Sequence, residues 1–385
     1  MSQRVNPYLK QDLLEFGVKD WNECFHCGNC TATCPLTEDG SLFPRKAIRQ
    51  AQMGLKLSLE ANVDPWLCYY CGDCSETCPR DANPGELMMS LRRYLTSVYD
   101  WTGLSKLFYT KKSWELIFIF IFGFAVILLF LLFPQHDTLV GLVNQQGGVK
   151  INTFAPIKII EFGDWTMAAI VGGLLISNIL RMWYKTILKP RVSVPFLMYF
   201  VTSWNLIFQF GTQAKFSKCD KKSRVYWLSH WLLMSGYVIM FAVVVVFLPQ
   251  FQTEEIHEWY HWQRLLGYYA TFGLLVGLTV MLVGRIKKSG MKFMFSHASD
   301  WLFIIMLLLT TITGILVHFF RIYGLVEATY YTYILHLAVL TPMIFVEVPF
   351  SKWSHLAYRP FAIYFDNLKK AAIAKQYKSK LATAA

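Results

Sequence analysis

The chain has 385 residues, 55% of them hydrophobic, and a formal net charge of +12 at pH 7. Its positive mean hydropathy fits a membrane protein rather than an ordinary soluble domain. The excess of positive charge does not imply nucleic-acid binding, because the basic residues gather at the ends of apolar segments, where the positive-inside rule places them.

The first stretch, Met1 to Asp20, is polar and lacks the unbroken apolar core of a signal peptide. The segment after it is therefore expected to stay in the reducing cytoplasm, where clustered cysteines usually hold metal. Eight of the nine cysteines fall between Cys24 and Cys78, in two matching runs. Cys24, Cys27, Cys30 and Cys34 are followed by Pro35, and Cys68, Cys71, Cys74 and Cys78 by Pro79. Both runs read C-x2-C-x2-C-x3-C-P, the two-cluster ferredoxin spacing, in which three thiolates wrap one iron–sulfur cube and the fourth reaches the other. One 4Fe–4S cluster is thus expected on Cys24, Cys27, Cys30 and Cys78, and a second on Cys68, Cys71, Cys74 and Cys34. Structural zinc is the competing reading, but its sites use two separated cysteine pairs rather than a repeated third cysteine and Cys-Pro end. Apolar spacing predicts helices over 42–59 and over 85–99, so the cluster domain is expected to be helical. Cys219 is left over and reads as a plain thiol.

Six segments, near 115–133, 164–183, 227–248, 264–284, 300–320 and 330–350, are apolar over the roughly 20 residues a bilayer needs. With both ends of the chain cytoplasmic, the inner segments after the first span hold 20 Lys and Arg and the outer segments four. Val192 to Phe210 is also apolar, but as a seventh span it would put Lys215, Lys218, Lys221, Lys222 and Arg224 outside. It is read as an interfacial helix near 192–210, with Pro195 at its start. The fold class expected is mainly α, a helical two-cluster ferredoxin domain (1–105) followed by a six-helix transmembrane cytochrome b bundle (106–358) and a basic cytoplasmic tail (359–385).

Ionisable residues inside spans are functional candidates. His336 and His355 are separated by 19 residues, roughly 28 Å of helix, enough to serve one haem b near each membrane face. By depth, His230 and His355 are expected to share an inner haem iron. His336 needs an outer partner, for which His261 is the first choice and His257 and His318 the alternatives. The competing reading is that these histidines only hydrogen-bond across helices. An ideal helix would also turn His355 about 100° away from His336, unless Pro342 and Pro349 bend it. Groups that can hydrogen-bond a quinol or accept its protons are Glu258, His261 and Arg264 on the outer side and Glu347 on the inner side, the competing reading of each being an interfacial anchor or salt bridge.

The text from His336 through Pro349-Phe350-Ser351-Lys352 to His355 resembles the last helix of the respiratory nitrate reductase gamma subunit. That resemblance implies b-haem ligation by His336, His355 and His230. The family's remaining ligand falls at Met240 here, which is why His261 is put forward instead. The paired cysteine runs, with Phe43-Pro44-Arg45-Lys46 between them and Pro84-Gly85-Glu86-Leu87-Met88 after them, are similar to the C subunit of heterodisulfide reductase. The fusion of the two halves resembles the C subunit of the quinone-interacting membrane-bound oxidoreductase (Qmo) complexes of sulfate-reducing bacteria. This implies electron transfer between menaquinol and soluble flavin/iron–sulfur subunits like the A and B subunits of Qmo, and onward to adenylylsulfate reductase. Alternatives are a membrane subunit of a heterodisulfide reductase-like or sulfite-reductase-linked complex, or a membrane-anchored iron–sulfur redox sensor, for which no signalling module is visible. A transporter is disfavoured, as no internal repeat of broken helices appears.

Overall fold

The computed structural model describes residues 4–39, 42–132, 142–219 and 224–384. Lys221 and Lys222 of the basic loop, and the side chains of Lys215, Lys218 and Cys219, lie outside the described residues. Among the described residues there is no sheet, only an isolated antiparallel bridge between Val143 and Val149. The cysteine-rich domain contains α1 (Leu9–Glu15), α2 (Asn29–Thr33), α3 (Arg45–Gln52), α4 (Lys56–Glu60), α5 (Asp73–Glu76) and α6 (Pro84–Tyr99). The bundle follows through α7 (Leu104–Thr110), α8 (Lys112–Leu132), α9 (Ile157–Trp183), α10 (Phe196–Thr212), α11 (Arg224–Val245) and α12 (Trp262–Ile286). It continues with α13 (Met291–Met294), α14 (Ala298–Ile322), α15 (Val326–Pro342) and α16 (His355–Ala384).

Six helices are long and apolar enough to cross a membrane: Lys112–Leu132, Ile157–Leu188, Arg224–Val245, Trp262–Ile286, Ala298–Ile322 and Val326–Phe350. Helix α10, 17 residues long, is not among them. It begins after Pro195 and leaves Phe196, Phe200, Trp204 and Phe208 exposed.

Local chemistry explains where these helices start and bend. Asn83 adopts the left-handed conformation ahead of α6, and Pro84 occupies its first turn, where a missing N–H costs nothing. Helix α14 opens with a reciprocal cap, the His297 ring accepting from Ser299 N–H while Asp300 accepts from His297 N–H. The stretch expected to be one helix over 42–59 is broken into α3 and α4. Gly54 sits between them at φ +67°, its α-carbon packed so tightly that a Cβ would lie 2.6 Å from the Asn6 carbonyl oxygen. Beyond Pro342 the last span continues as a π-turn, Met343–Glu347, before breaking at Ser351. A π-turn takes up one extra residue and so turns the residues beyond it by about 100° relative to an unbroken α-helix, the offset between the ideal positions of His336 and His355.

Lipid tails are as apolar as leucine, so the spans associate through close packing rather than hydrophobic burial. The α11–α12 crossing shows this. A Cβ on Gly236 would come 2.6 Å from Ala270 O, on Gly273 2.5 Å from Leu232 O, and on Gly277 2.9 Å from Ser229 O. Helices α9, α11, α12, α14 and α15 enclose the interior of the bundle.

The segment read as a tail from 359 onward is instead the greater part of α16. Its Tyr358, Ala362, Phe365 and Leu368 are buried, with Tyr358, Ala362 and Phe365 in the same core as Trp66, Leu87 and Tyr99 of the cysteine-rich domain. Tyr358 packs between the rings of Trp66 (5.1 Å) and Tyr99 (5.6 Å). Lys369 Nζ reaches Ala61 O at 3.2 Å, and Lys185 Nζ pairs with Glu60 at 2.8 Å. This docking fixes the cysteine-rich domain against one end of the bundle, the near end.

Candidate functional site

The two cysteine runs fold alike. His26 and Tyr70 take positive φ, as do Gly28 and Gly72, which open α2 and α5. These left-handed turns fold each run back so that its first three cysteines converge, and α2 and α5 pack side by side. One small hollow, about 20 Å³, is lined by Cys24, Cys27, Cys30 and Cys78. A second of about 20 Å³ is lined by Cys34, Cys68, Cys71 and Cys74. Among the described residues no group of three or more His, Cys, Asp or Glu side chains stands at the spacing of a single metal ion. Tyr70 N–H donates to Cys68 Sγ at 3.3 Å and Ala82 N–H to Cys78 Sγ at 3.4 Å. Burial, then neighbouring thiolates, pushes Cys74 well above the ordinary range. Burial also pushes Cys34 up to about 12 and Cys71 up to about 11. Thiols so disfavoured as free anions become thiolates readily where a bound metal cation compensates.

Where this domain meets the bundle, a cavity of about 210 Å³ opens between α6, α11, α12 and the start of α16. Tyr69, Tyr70 and Cys71 form part of its wall, so it abuts the second thiol set. His230 and His355 line it, and both also line an adjoining hollow of about 140 Å³. The His230 Nδ1–H donates to Gln213 Oε1 at 2.8 Å, and the His355 Nδ1–H to Lys352 O at 2.7 Å. Each ring therefore keeps its Nε2 lone pair uncommitted. Burial lowers His355 to about 3, so the ring is neutral at any physiological pH.

A larger cavity of about 800 Å³ occupies the far half of the bundle, lined by His336, His318, His257, Arg264, Arg321 and Met240 among others. Thr313 donates its hydroxyl to Leu309 O at 2.8 Å, so its oxygen accepts from His336 Nδ1–H at 2.9 Å, again leaving Nε2 uncommitted. His318 differs, its Nε2 lying 3.3 Å from Tyr268 Oη. The near and far cavities share Tyr237, Leu307 and Trp353 as walls, with the Tyr237 and Trp353 ring centroids 5.0 Å apart.

The structure thus brings the eight motif cysteines into two crossed sets and places His230 beside His355. It does not place His261 on the wall that His336 lines. His261 caps α12, stacks on His257 at 4.0 Å, and has a buried Nδ1 with no partner among the described residues. Of the quinol-site candidates, Arg264 lines the far cavity and Glu258 is exposed. Glu347 is fully buried beside Glu115 and lines neither cavity. Sequence reasoning missed Glu115, although a carboxylate inside the first span was a signal. It also missed Arg92 and Arg359 on the near cavity wall, which carry no such signal because only the tertiary fold brings them together.

Residues 20–82 match the 4Fe–4S dicluster domain family. The chain is 35% identical over 100 residues to a protein of Archaeoglobus profundus described as like the C subunit of heterodisulfide reductase, covering 26% of this chain and 51% of that protein. It is 37% identical over 99 residues to the C2 subunit of the H(2)/formate:CoB-CoM heterodisulfide,ferredoxin reductase of Methanococcus maripaludis, covering 24% of this chain and 53% of that protein. The chain thus spans about half the length of the curated relatives it matches. No solved structure matches it. The cysteine-rich domain therefore matches the 4Fe–4S dicluster family over residues 20–82 and is similar, over about 100 residues, to C subunits of heterodisulfide reductase.

Proposed function

We propose that this chain is the membrane subunit of a quinone-linked oxidoreductase, passing electrons between menaquinol and soluble flavin/iron–sulfur subunits by way of b haems and two 4Fe–4S clusters. The observation that carries this reading is an unbroken series of sites. The second thiol set shares Tyr69, Tyr70 and Cys71 with the near cavity, which shares Tyr237, Leu307 and Trp353 with the far one. Haem b, when bound, supplies one-electron transfer without an open coordination position if two protein ligands hold its iron.

The residues present fit such a group. His230 and His355 would hold the near iron, their Nδ1–H bonds to Gln213 and Lys352 fixing tautomer and ring orientation. His336, oriented by Thr313, would hold the far iron, with His318, His257 and Met240 as the donors on the same cavity wall. His261, stacked behind His257, would act at second hand by orienting that ring. Cys24, Cys27, Cys30 and Cys78 would hold the first cluster, and Cys34, Cys68, Cys71 and Cys74 the second. At the far cavity, Arg264, His318 and Tyr268 offer the charge and hydrogen bonds that a quinol headgroup requires. The charge bias of the loops supports a cytoplasmic-membrane protein with both termini and the dicluster domain in the cytoplasm.

By resemblance to the C subunit of Qmo, the electron partner would be a flavoprotein pair serving adenylylsulfate reductase in sulfate respiration. The names of the matched relatives favour a second reading, a heterodisulfide reductase-type complex in which disulfide chemistry belongs to a partner subunit. The test is reduced-minus-oxidised absorption of the purified chain, followed by addition of a reduced menaquinol analogue. Two b haems that the quinol reduces, with one lost in His355→Ala, are expected. A chain with two clusters and no haem would overturn the conduit.

A further inference from the structure

The near cavity has an unusual wall: six basic residues, Arg92, Arg93, Arg285, Lys292, Lys352 and Arg359, reach it. Three of them pair with carboxylates of the protein, and Lys292 lies against a ring. Arg93 pairs with Glu86 at 3.1 Å, Arg285 with Asp300 at 3.7 Å, and Lys352 with the same Asp300. Lys292 lies over the Tyr226 ring at 2.9 Å.

Arg92 and Arg359 have no carboxylate partner among the described residues. Arg92 spends its Nε–H on Pro65 O at 2.7 Å and a second N–H on Cys68 O, both neutral acceptors. Arg359 stacks over Tyr69 at 3.7 Å, and its Nη2 is buried with no hydrogen-bond partner. Both guanidiniums line the same cavity. Holding two like charges together away from water is costly unless an anion joins them. A planar fork with free N–H groups is suited to a carboxylate.

We propose that Arg92 and Arg359 bind the two carboxylates of the ligand that His230 and His355 face, namely the propionates of haem b, so that the ligand is shared between the dicluster domain and the bundle. This rests on the near cavity's being a haem site. Arg92 belongs to α6 of the dicluster domain and Arg359 to α16, so occupancy ties the two parts together. With Arg359 stacked over Tyr69, the carboxylates would be held toward the wall shared with the second thiol set.

The full chain, produced without haem in a His336→Ala background so that the near site alone takes it up, is titrated with protohaem and with protohaem dimethyl ester. Binding is read from Soret absorbance. The ester, whose carboxylates are masked, should bind at least about tenfold more weakly, each lost charge-assisted contact being worth roughly that factor. Arg92→Gln with Arg359→Gln should close that gap, while Arg92→Lys with Arg359→Lys should keep most of it. The double Gln variant should also show a roughly tenfold smaller ferrous-to-ferric ratio at fixed potential, equivalent to about 59 mV for one electron. The EPR signals of the reduced clusters report that each variant is folded. If the Gln variant is not, the ester gap in the wild type and in the Lys variant decides. An ester that binds the wild type within twofold of protohaem, or a gap unchanged by the Gln variant, overturns the proposal. A wild-type chain that takes up neither compound overturns the haem assignment itself, a separate and distinguishable result.

Discussion

Cys78 stands next to Pro79, ten residues beyond Cys68, yet it lines the hollow of Cys24, Cys27 and Cys30 rather than that of its own run. The crossing makes a sharp expectation. Cys78→Ser should remove the first cluster and leave the second, halving the spin count of the reduced protein by EPR. Loss of the cluster on Cys68, Cys71 and Cys74 instead would mean that each run holds its own. A second residue-scale expectation concerns Glu115 and Glu347. Both carboxyls are fully buried, Lys112 pairs with Glu115, and Glu347 sits against Glu115 and Ser351. One ammonium balances one carboxylate, and two carboxyls sharing a dry site do not both ionise. Removing the cation with Lys112→Met should therefore destabilise by about 3–5 kcal/mol, the cost of orphaning a buried charge. Glu347→Gln, which replaces the second carboxyl by a neutral group of the same shape, should leave the melting temperature in detergent unchanged or higher. Equal losses in both variants would show that the pair acts by packing alone.

Between residues and the whole molecule, the helices show what sequence carries and what it does not. The cysteine motifs and the six long apolar helices were legible because each is a local pattern, in which thiol spacing or hydropathy is complete within one stretch of chain. The break at Gly54 was not, since its cause is the Asn6 carbonyl some fifty positions away. The placement of His261 was not either: depth along a helix is countable, but a residue at a helix cap turns its ring according to its neighbours, here His257. The α11–α12 crossing belongs to the same class. Gly236, Gly273 and Gly277 are scattered along two spans and become a seam only when the helices meet. Gly273→Val puts a branched side chain where a single Cβ would already sit 2.5 Å from Leu232 O, and the helix axes must separate. Because His230 shares α11 with Leu232, the expected result is a lowered melting temperature together with lost haem b absorbance. The iron–sulfur EPR signal should remain, because the thiol sets do not depend on that seam. Unchanged haem content would mean that the near cavity tolerates a shifted α11.

At the scale of the whole molecule, the dicluster domain and the bundle are held in register by the chain's last helix. The sequence of α16 carries Lys369 and Lys370 and reads as a basic tail, but Tyr358, Phe365 and Leu368 recur at spacings of seven and three, one face of a helix. That face closes on Trp66 and Tyr99, while His355 and Arg359 in the first turns of the same helix reach the near cavity. One element therefore sets both the docking of the domain and the geometry of the site beneath it. Leu368, fully buried on that face, lies more than three turns beyond His355 and lines neither cavity. Leu368→Ala should cost about 2–5 kcal/mol, the range for deleting a buried leucine side chain. In the variant, cluster signals and haem content should each persist, because neither ligand set includes Leu368. What should fall is electron exchange between them, measured as the rate at which reduced clusters pass electrons to the haem after a stopped-flow pulse of reductant. Transfer slows steeply as sites separate, so the docked arrangement is what a fast rate reports. A rate equal to wild type in a variant whose melting temperature has dropped would show that the domains stay seated through Lys185, Glu60 and the rest of the core, and that α16 adds stability without setting the path.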